Sequence, residues 1–203
     1  MAAEYLISLG SVEQIPTLIK GNMLFGKTHP RIAMLGRSNV GKSSLINALV
    51  GSKIANVSKQ PGHTRKINFF EWTGKKKMIA DLPGYGFAAR HIKEQRQWAE
   101  MIREYLKADP MLKCALVLLD ARHGPTQTDI DAIKMMVELN LPIKFVFTKA
   151  DALKTQKMRS QRRKEAKEVI TKLGLDFASI PWVSANTGDN IGELRNFLQS
   201  LEK

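Results

Sequence analysis

The chain has 203 residues, 43% hydrophobic and 25% charged, which is ordinary for a globular protein and enough for one domain with a full core. It has no apolar run near the ~18 residues of a membrane span and no basic-then-apolar start, so we expect neither a membrane protein nor a signal peptide. The single cysteine, Cys114, excludes an internal disulfide and predicts a reducing compartment, the cytoplasm. The net charge of +13 indicates either a polyanionic partner or a strongly solvated surface.

The first 30 residues carry the weakest signals. Residues 5–9 predict an edge strand, and several glycine and proline breakers follow it. We therefore predict two parts: an extension over 1–30 that packs on the main domain, and the domain itself over 31–203.

The strongest local signal is the segment GRSNVGKSS that begins at Gly36, because it fits the G-x-x-x-x-G-K-[ST] pattern of a phosphate-binding loop. A strand pattern over 31–35 precedes it and a helix pattern over 45–50 follows, which is the context that the loop needs. Its glycines allow close backbone approach, and successive N–H groups at a helix start form an anion site. Lys42 would reach the β- and γ-phosphates, and Ser43 would bind Mg²⁺. The predicted nucleotide-binding residues are Gly36, Arg37, Ser38, Asn39, Val40, Gly41, Lys42, Ser43 and Ser44.

A second phosphate signal follows the next pair of predicted strands. Residues 52–66 are polar and rich in turn formers, so they predict a mobile loop. Strands over 67–72 and 77–80 follow, and the second ends at Asp81. There Asp81 would hold Mg²⁺ through water, and the Gly84 N–H would meet a γ-phosphate. The predicted contacts in this segment are Asp81, Leu82, Pro83 and Gly84.

The rest of the chain alternates between helix and strand patterns. The predicted elements are helices over 94–108, from Thr126 to about 140, over 158–172 and over 190–201, and strands over 114–119, 143–147 and 180–183. The predicted inward residues include Ile130, Ile133, Val137, Ala166, Val169, Ile170, Leu173, Ile191, Leu194, Phe197, Leu198 and Leu201, with Trp72 and Trp182 in the core. This alternation predicts an α/β fold, a mostly parallel doubly wound sheet of about six strands flanked by helices.

Two motifs at strand ends have the chemistry of guanine recognition. The Asp151 carboxylate can accept hydrogen bonds from guanine N1–H and the 2-amino group, whereas adenine would leave it unpaired. The Lys149 stem can lie along the base plane, and a backbone N–H near Ala185 can donate to guanine O6. The predicted base contacts are Thr148, Lys149, Ala150, Asp151, Val183, Ser184 and Ala185.

Basic residues concentrate in two segments, 53–77 and 152–172. Either cluster alone is equally well explained by a solvated surface, but the two together favour nucleic acid. In the second segment a helical period places the basic side chains off the apolar stripe. The predicted RNA contacts are Arg159, Arg162, Arg163, Lys164 and Lys167.

These motifs together resemble the translation-factor class of GTPases. The segments PGHTR, DLPGYG and DARHG are similar to those of the EngB/YihA/YsxC family of bacterial GTP-binding proteins, which are relatives of Era and EngA. This resemblance extends from about Arg31 to the C-terminus. The resemblance implies a P-loop GTPase G domain that binds GTP or GDP with Mg²⁺. By motif position it implies Ser43 and Thr64 as Mg²⁺ ligands, and Lys42, Thr64 and Gly84 as the catalytic set. The implied switch-loop contacts are Gly62, His63, Thr64, Arg65 and Lys66.

The same resemblance implies a role in large ribosomal subunit assembly, with an effect on cell division and septation. We expect a cytoplasmic monomer that contacts ribosomal RNA and does not bind a membrane. Tyr85 stands where a glutamine orients the attacking water in Ras-like enzymes, which implies slow hydrolysis helped by a partner or an ion. Asn39 matches relatives in which an asparagine helps to hold K⁺, and is equally a simple loop residue. A cell-division scaffold acting through protein partners is the alternative function. An enzyme in which the G domain drives a catalytic domain of the same chain is disfavoured, because we expect no catalytic domain after the G domain.

Overall fold

The computed structural model describes residues 3–19, 29–57, 66–72, 74, 76–86, 92–177 and 181–201. The strands are β1 Glu4–Leu9, β2 Arg31–Gly36, β3 Ile67–Trp72, β4 Lys77–Asp81, β5 Leu112–Asp120 and β6 Ile143–Thr148. The helices are α1 Gln14–Ile19, α2 Lys42–Val50, α3 Ile92–Ala108, α4 Gln127–Glu138, α5 Gln156–Lys172 and α6 Ile191–Ser200, with a 3₁₀ turn at Ala150–Ala152.

One six-stranded sheet, in the order β1-β3-β4-β2-β5-β6, organises these elements. The β2 strand is parallel to both β4 and β5, and β5 is parallel to β6, whereas the β1–β3 and β3–β4 pairs are antiparallel. All six residues of β2 are buried, as expected for a parallel strand covered on both faces. The predicted fold class, a mostly parallel sheet of six strands flanked by helices, is confirmed. The carboxyl ends of β2, β4, β5 and β6 therefore meet at one edge of the sheet.

The N-terminal residues belong to this sheet. The predicted edge strand is confirmed, because β1 pairs antiparallel with β3 and Leu9 is buried in the same core cluster as Phe69. The short helix α1 was not predicted. At its first residue the Gln14 side chain accepts the Gly10 N–H at 2.7 Å, which holds the preceding turn against the helix. The division into 1–30 and 31–203 stays a prediction.

A buried ion pair joins the amino end of β2 to the residue that follows α3. Arg31 at the start of β2 and Asp109 after α3 are both buried and paired. The Tyr105 hydroxyl donates to the same carboxylate at 2.8 Å. This network lies at the amino end of β2, far along the strand from Gly36.

Two inward residues were assigned to the wrong helix face. Val137 is 41% exposed, and Met136 is buried in its place. Phe197 is 37% exposed and lies with its ring 5.9 Å from the Lys144 amine. Both helices present apolar residues at adjacent positions, so packing against the sheet, rather than the sequence period, decides which one is covered.

The predicted strand over 180–183 is wrong in the part that the structure describes, 181–183. Trp182 forms only an isolated parallel bridge with Phe147. Pro181 has no N–H to extend the ladder, and the Trp182 carbonyl accepts from the Asn190 side chain at 2.7 Å. The predicted core positions of Trp72 and Trp182 are confirmed, since both are buried.

Candidate functional site

The phosphate-loop segment connects the end of β2 to the start of α2. Gly41 has φ 102°, a left-handed conformation that favours glycine. A Cβ at Gly36 would lie 2.7 Å from the Val40 Cγ1 atom, so this tight entry to the loop also requires glycine. The segment therefore folds as a close backbone turn that leads directly into a helix N-terminus, which is the arrangement of an anion site.

The end of β4 reaches this loop through an ion pair. The Lys42 amine contacts the Asp81 carboxylate, and both residues are buried. Ser43 follows Lys42 and is half-buried. Hydroxyl and carboxylate oxygens are the ligands that Mg²⁺ prefers, and it usually completes its shell with waters and substrate phosphates. Ser43 and Asp81 fit that requirement, and the described ranges contain no cluster of three His, Cys, Asp or Glu side chains that could hold a metal by themselves.

The cleft on the other side of the loop is the base-pocket candidate. It has a volume of about 320 Å³. Its lining residues are Gly41, Ser44, Leu45, Arg122, Thr148, Lys149, Asp151, Ala152, Val183, Ser184, Ala185 and Asn186. Thr148 ties the end of β6 to the phosphate loop, because its hydroxyl donates to the Val40 carbonyl at 2.6 Å. The two predicted base motifs thus meet beside the phosphate loop.

Asp151 and Ser184 face each other in this cleft. Hydrogen bonding from the Ser184 side chain lowers the pKa of Asp151 and outweighs the opposing effect of burial. Ser184 is itself buried and accepts the N–H groups of Asn186 and Thr187 at 3.2 and 3.1 Å. Asp151 is therefore ionised at neutral pH, as an acceptor for two donors of a base must be.

Sequence reasoning missed Asp120, at the end of β5. The Lys149 amine donates to Asp120 at 2.9 Å and to the Asn39 carbonyl at 2.5 Å. Arg122 donates to the same carboxylate through Nε at 2.9 Å and Nη2 at 2.7 Å. Burial would raise the pKa of Asp120, but hydrogen bonds from Arg122 and Lys149 outweigh it and lower the pKa to about 2. An acidic residue at a strand's carboxyl end, like Asp81, was the signal that would have identified it.

The structure therefore brings together the predicted residues of 36–44, 81–84, 148–151 and 183–185. Lys66 is exposed immediately before β3. The other predicted switch-loop residues, Gly62, His63, Thr64 and Arg65, lie outside the described residues, so the predicted second Mg²⁺ ligand and catalytic residue, Thr64, has no structural account.

No helix in the described part of the chain has the length and apolar character needed to cross a membrane.

A mostly parallel sheet with a phosphate loop after β2, an acidic residue ending β4 and a base cleft at β6 defines the class of P-loop GTPases. The family model described as 50S ribosome-binding GTPase matches residues 31–149. The Thermotoga maritima protein called probable GTP-binding protein EngB is 41% identical over 172 residues, covering 85% of this chain and 86% of the relative. The Maridesulfovibrio salexigens protein of the same name is 40% identical over 185 residues, covering 91% and 89%. The chain belongs to the EngB family of GTP-binding proteins.

Solved structures agree with this assignment. A probable GTP-binding protein engB superposes with a TM-score of 0.68 at 26% identity, covering 84% of this chain and 97% of that one. Era, in a complex with MgGDPNP and part of 16S ribosomal RNA, gives 0.68 at 23% identity, covering 85% and 56%, and this likeness shows the fold alone. Membership in a GTPase family implies GTP binding and hydrolysis, and the predicted family is confirmed.

Proposed function

We propose that this protein is a slow GTPase whose bound nucleotide controls its association with the large ribosomal subunit during assembly. The observation that supports this proposal is that the phosphate loop, Asp81 and the base cleft lie together at the carboxyl ends of the parallel strands. A ribosomal partner is supported by the family description, 50S ribosome-binding GTPase. It would place the protein in the cytoplasm, and a defect in subunit assembly would account for the predicted effect on division and septation.

In this proposal each part of the site has one role. The N–H groups of 39–44 hold the phosphates, Lys42 neutralises their charge, and Asp151 selects guanine. Ser43, with Asp81 through water, would hold a Mg²⁺ ion, which supplies charge neutralisation at the phosphates when bound. Thr64 would be the second ligand of that ion. Binding nucleotide requires Lys42 to exchange part of its contact with Asp81 for a phosphate.

We expect slow turnover in the purified protein. The Tyr85 hydroxyl donates to buried Asp129 at 2.9 Å, so the side chain points into the protein and offers no group to orient a water at the phosphates. Turnover should lie near the ~10⁻⁴ to 10⁻² per second of unassisted GTPases. The measurement is phosphate release from GTP by the protein alone, in sodium or potassium buffer, and with purified large ribosomal subunits.

Faster turnover with subunits or with potassium identifies what completes the site. The comparison of sodium with potassium buffer tests whether Asn39 helps to hold K⁺ or is a simple loop residue. Sustained turnover above about one per second for the protein alone in sodium buffer would contradict the proposal, because unassisted GTPases are far slower.

The proposed RNA surface is the exposed face of α5, with a correction to its residues. Arg162 was predicted to be available, but it donates to the carbonyls of Arg122 at 2.8 Å and His123 at 3.0 Å. Arg159 donates to the Leu153 carbonyl at 2.9 Å, and Arg163 lies 5.3 Å from the Trp182 ring centre. These three arginines hold α5 against the domain. The exposed lysines of the helix, Lys157, Lys164 and Lys167, are better placed to contact phosphates.

A further inference from the structure

Tyr85 directly follows the 81–84 segment and turns into the core instead of toward the phosphates. It is 7% exposed, and its hydroxyl donates to the Asp129 Oδ1 atom at 2.9 Å. Burial, reinforced by the Asp129 charge, raises the pKa of Tyr85 well above its ordinary value. The hydroxyl therefore stays protonated and donates at any physiological pH.

The Asp129 carboxylate is a rigid anchor for this bond. It is 1% exposed, and its Oδ2 atom accepts the Thr126 N–H at 2.8 Å and the Thr126 hydroxyl at 2.7 Å. The bond from the Thr126 N–H is one half of the capping box of α4, and in the other half the Asp129 N–H donates to the Thr126 side chain. The Arg37 Nε atom of the phosphate loop lies 3.6 Å from the same oxygen. One buried carboxylate thus joins the start of α4, the phosphate loop and Tyr85.

The backbone of the same segment is paired with the phosphate loop. The Tyr85 N–H donates to the Gly36 carbonyl at 3.2 Å, and the Ser38 N–H donates to the Tyr85 carbonyl at 2.9 Å. A Cβ at Gly84 would lie 3.0 Å from the Ser38 N and Cα atoms. One amide of the phosphate loop is therefore occupied by Tyr85, and Gly84 packs against Ser38 with no space for another group between them.

We propose that Tyr85 and Asp129 make the protein bind GTP less tightly than GDP, by holding Gly84 and Tyr85 against the phosphate loop in a conformation that a γ-phosphate must displace. This inference rests on the proposed function. The γ-phosphate of a bound nucleotide lies beside the phosphate loop and is met by the switch loops. Binding of GTP must then break the Tyr85–Asp129 contact, and the free energy needed for this lowers the apparent affinity for GTP.

GDP binds without breaking the Tyr85–Asp129 contact, because GDP ends at the β-phosphate. Its contacts are the loop amides of 39–44, the Lys42 amine and the base cleft. None of these depends on the Tyr85 hydroxyl. Loosening the contact should therefore change the ratio of the two affinities and leave the GDP affinity as it is.

The test is the substitution Tyr85→Phe, which removes only the hydroxyl. The measurement is the pair of dissociation constants for GDP and for a non-hydrolysable GTP analogue. We expect the GTP analogue to bind about three- to tenfold more tightly, the equivalent of one net hydrogen bond, with GDP unchanged. Tyr105→Phe is the matched control, because the Tyr105 hydroxyl donates to buried Asp109 at 2.8 Å at the other end of β2. It should lose similar stability and leave both dissociation constants unchanged.

An unchanged or lower affinity of Tyr85→Phe for the GTP analogue, with normal GDP binding, would overturn this inference and leave the proposed function standing. The same gain in Tyr105→Phe would also overturn it, since a general loosening would then be the cause. Failure of the unmodified protein to bind either nucleotide would instead overturn the proposed function.

Discussion

Replacing Asp151 with asparagine is expected to weaken both GTP and GDP binding by ~10-fold or more, because the new amide presents a donor where guanine N1–H and the 2-amino group need acceptors. Xanthine nucleotides, which carry a carbonyl in place of the 2-amino group, should bind better to the variant than to the parent. The position of Asp151 in the cleft beside Ser184 and its lowered pKa are the physical basis of this expectation. Titration calorimetry with GDP and XDP measures both effects.

The matched control is Asp131→Asn, which makes the same change at an exposed carboxylate on α4 that accepts from Gln127. It should bind GDP and XDP as the parent does. An unchanged GDP affinity in Asp151→Asn would show that the cleft is not the base pocket. Weakened GDP binding without any gain for XDP would show a general loss of structure instead of a change in base selection.

Reversing two charges on α5, Lys157→Glu with Lys164→Glu, is expected to weaken association with large ribosomal subunits by roughly 10- to 100-fold at moderate salt. Each lysine that neutralises an RNA phosphate releases a counterion, so losing two contacts should lower the slope of log affinity against log salt by about 2. Both residues are exposed on one face of the helix. Pelleting with subunits across a salt series measures the affinity and the slope together.

A control of equal charge change is Lys107→Glu with Lys134→Glu, two exposed lysines on α3 and α4. It separates a local surface from the effect of net charge, which is +13 in the parent. Equal weakening by both pairs would show that overall charge alone is responsible. Normal pelleting of the α5 variant would remove this helix from the RNA surface and leave the 53–77 segment as the candidate. GDP affinity should stay unchanged in both variants, since none of the four lysines lines the base cleft.

Features that depend on neighbours in sequence were predictable. The helix predicted from Thr126 to about 140 is observed as α4, with Thr126 and Asp129 forming a capping box at its start. The apolar run over 114–119 became the buried part of β5. The phosphate-loop pattern folded between β2 and α2, because its glycines permit the turn that the flanking elements require.

Individual contacts between distant side chains were not predictable. The bond from Tyr85 to Asp129 joins positions 44 apart, and the Lys149–Asp120 contact joins positions 29 apart. No local pattern indicates the Tyr85–Asp129 contact, and the position of Asp120 at a strand's carboxyl end indicates a site residue without indicating Lys149 as its partner. The helix α1 has six residues, too few for a clear period, since short helices gain their stability from tertiary packing.

Nucleotide control of ribosome binding is tested most directly by co-sedimentation of the unmodified protein with purified large ribosomal subunits, in a non-hydrolysable GTP analogue or in GDP. The proposed switch predicts that the protein pellets with the subunits in the GTP analogue and much less in GDP. Equal pelleting with both nucleotides would contradict control by the nucleotide, and no pelleting with either would contradict the ribosomal partner.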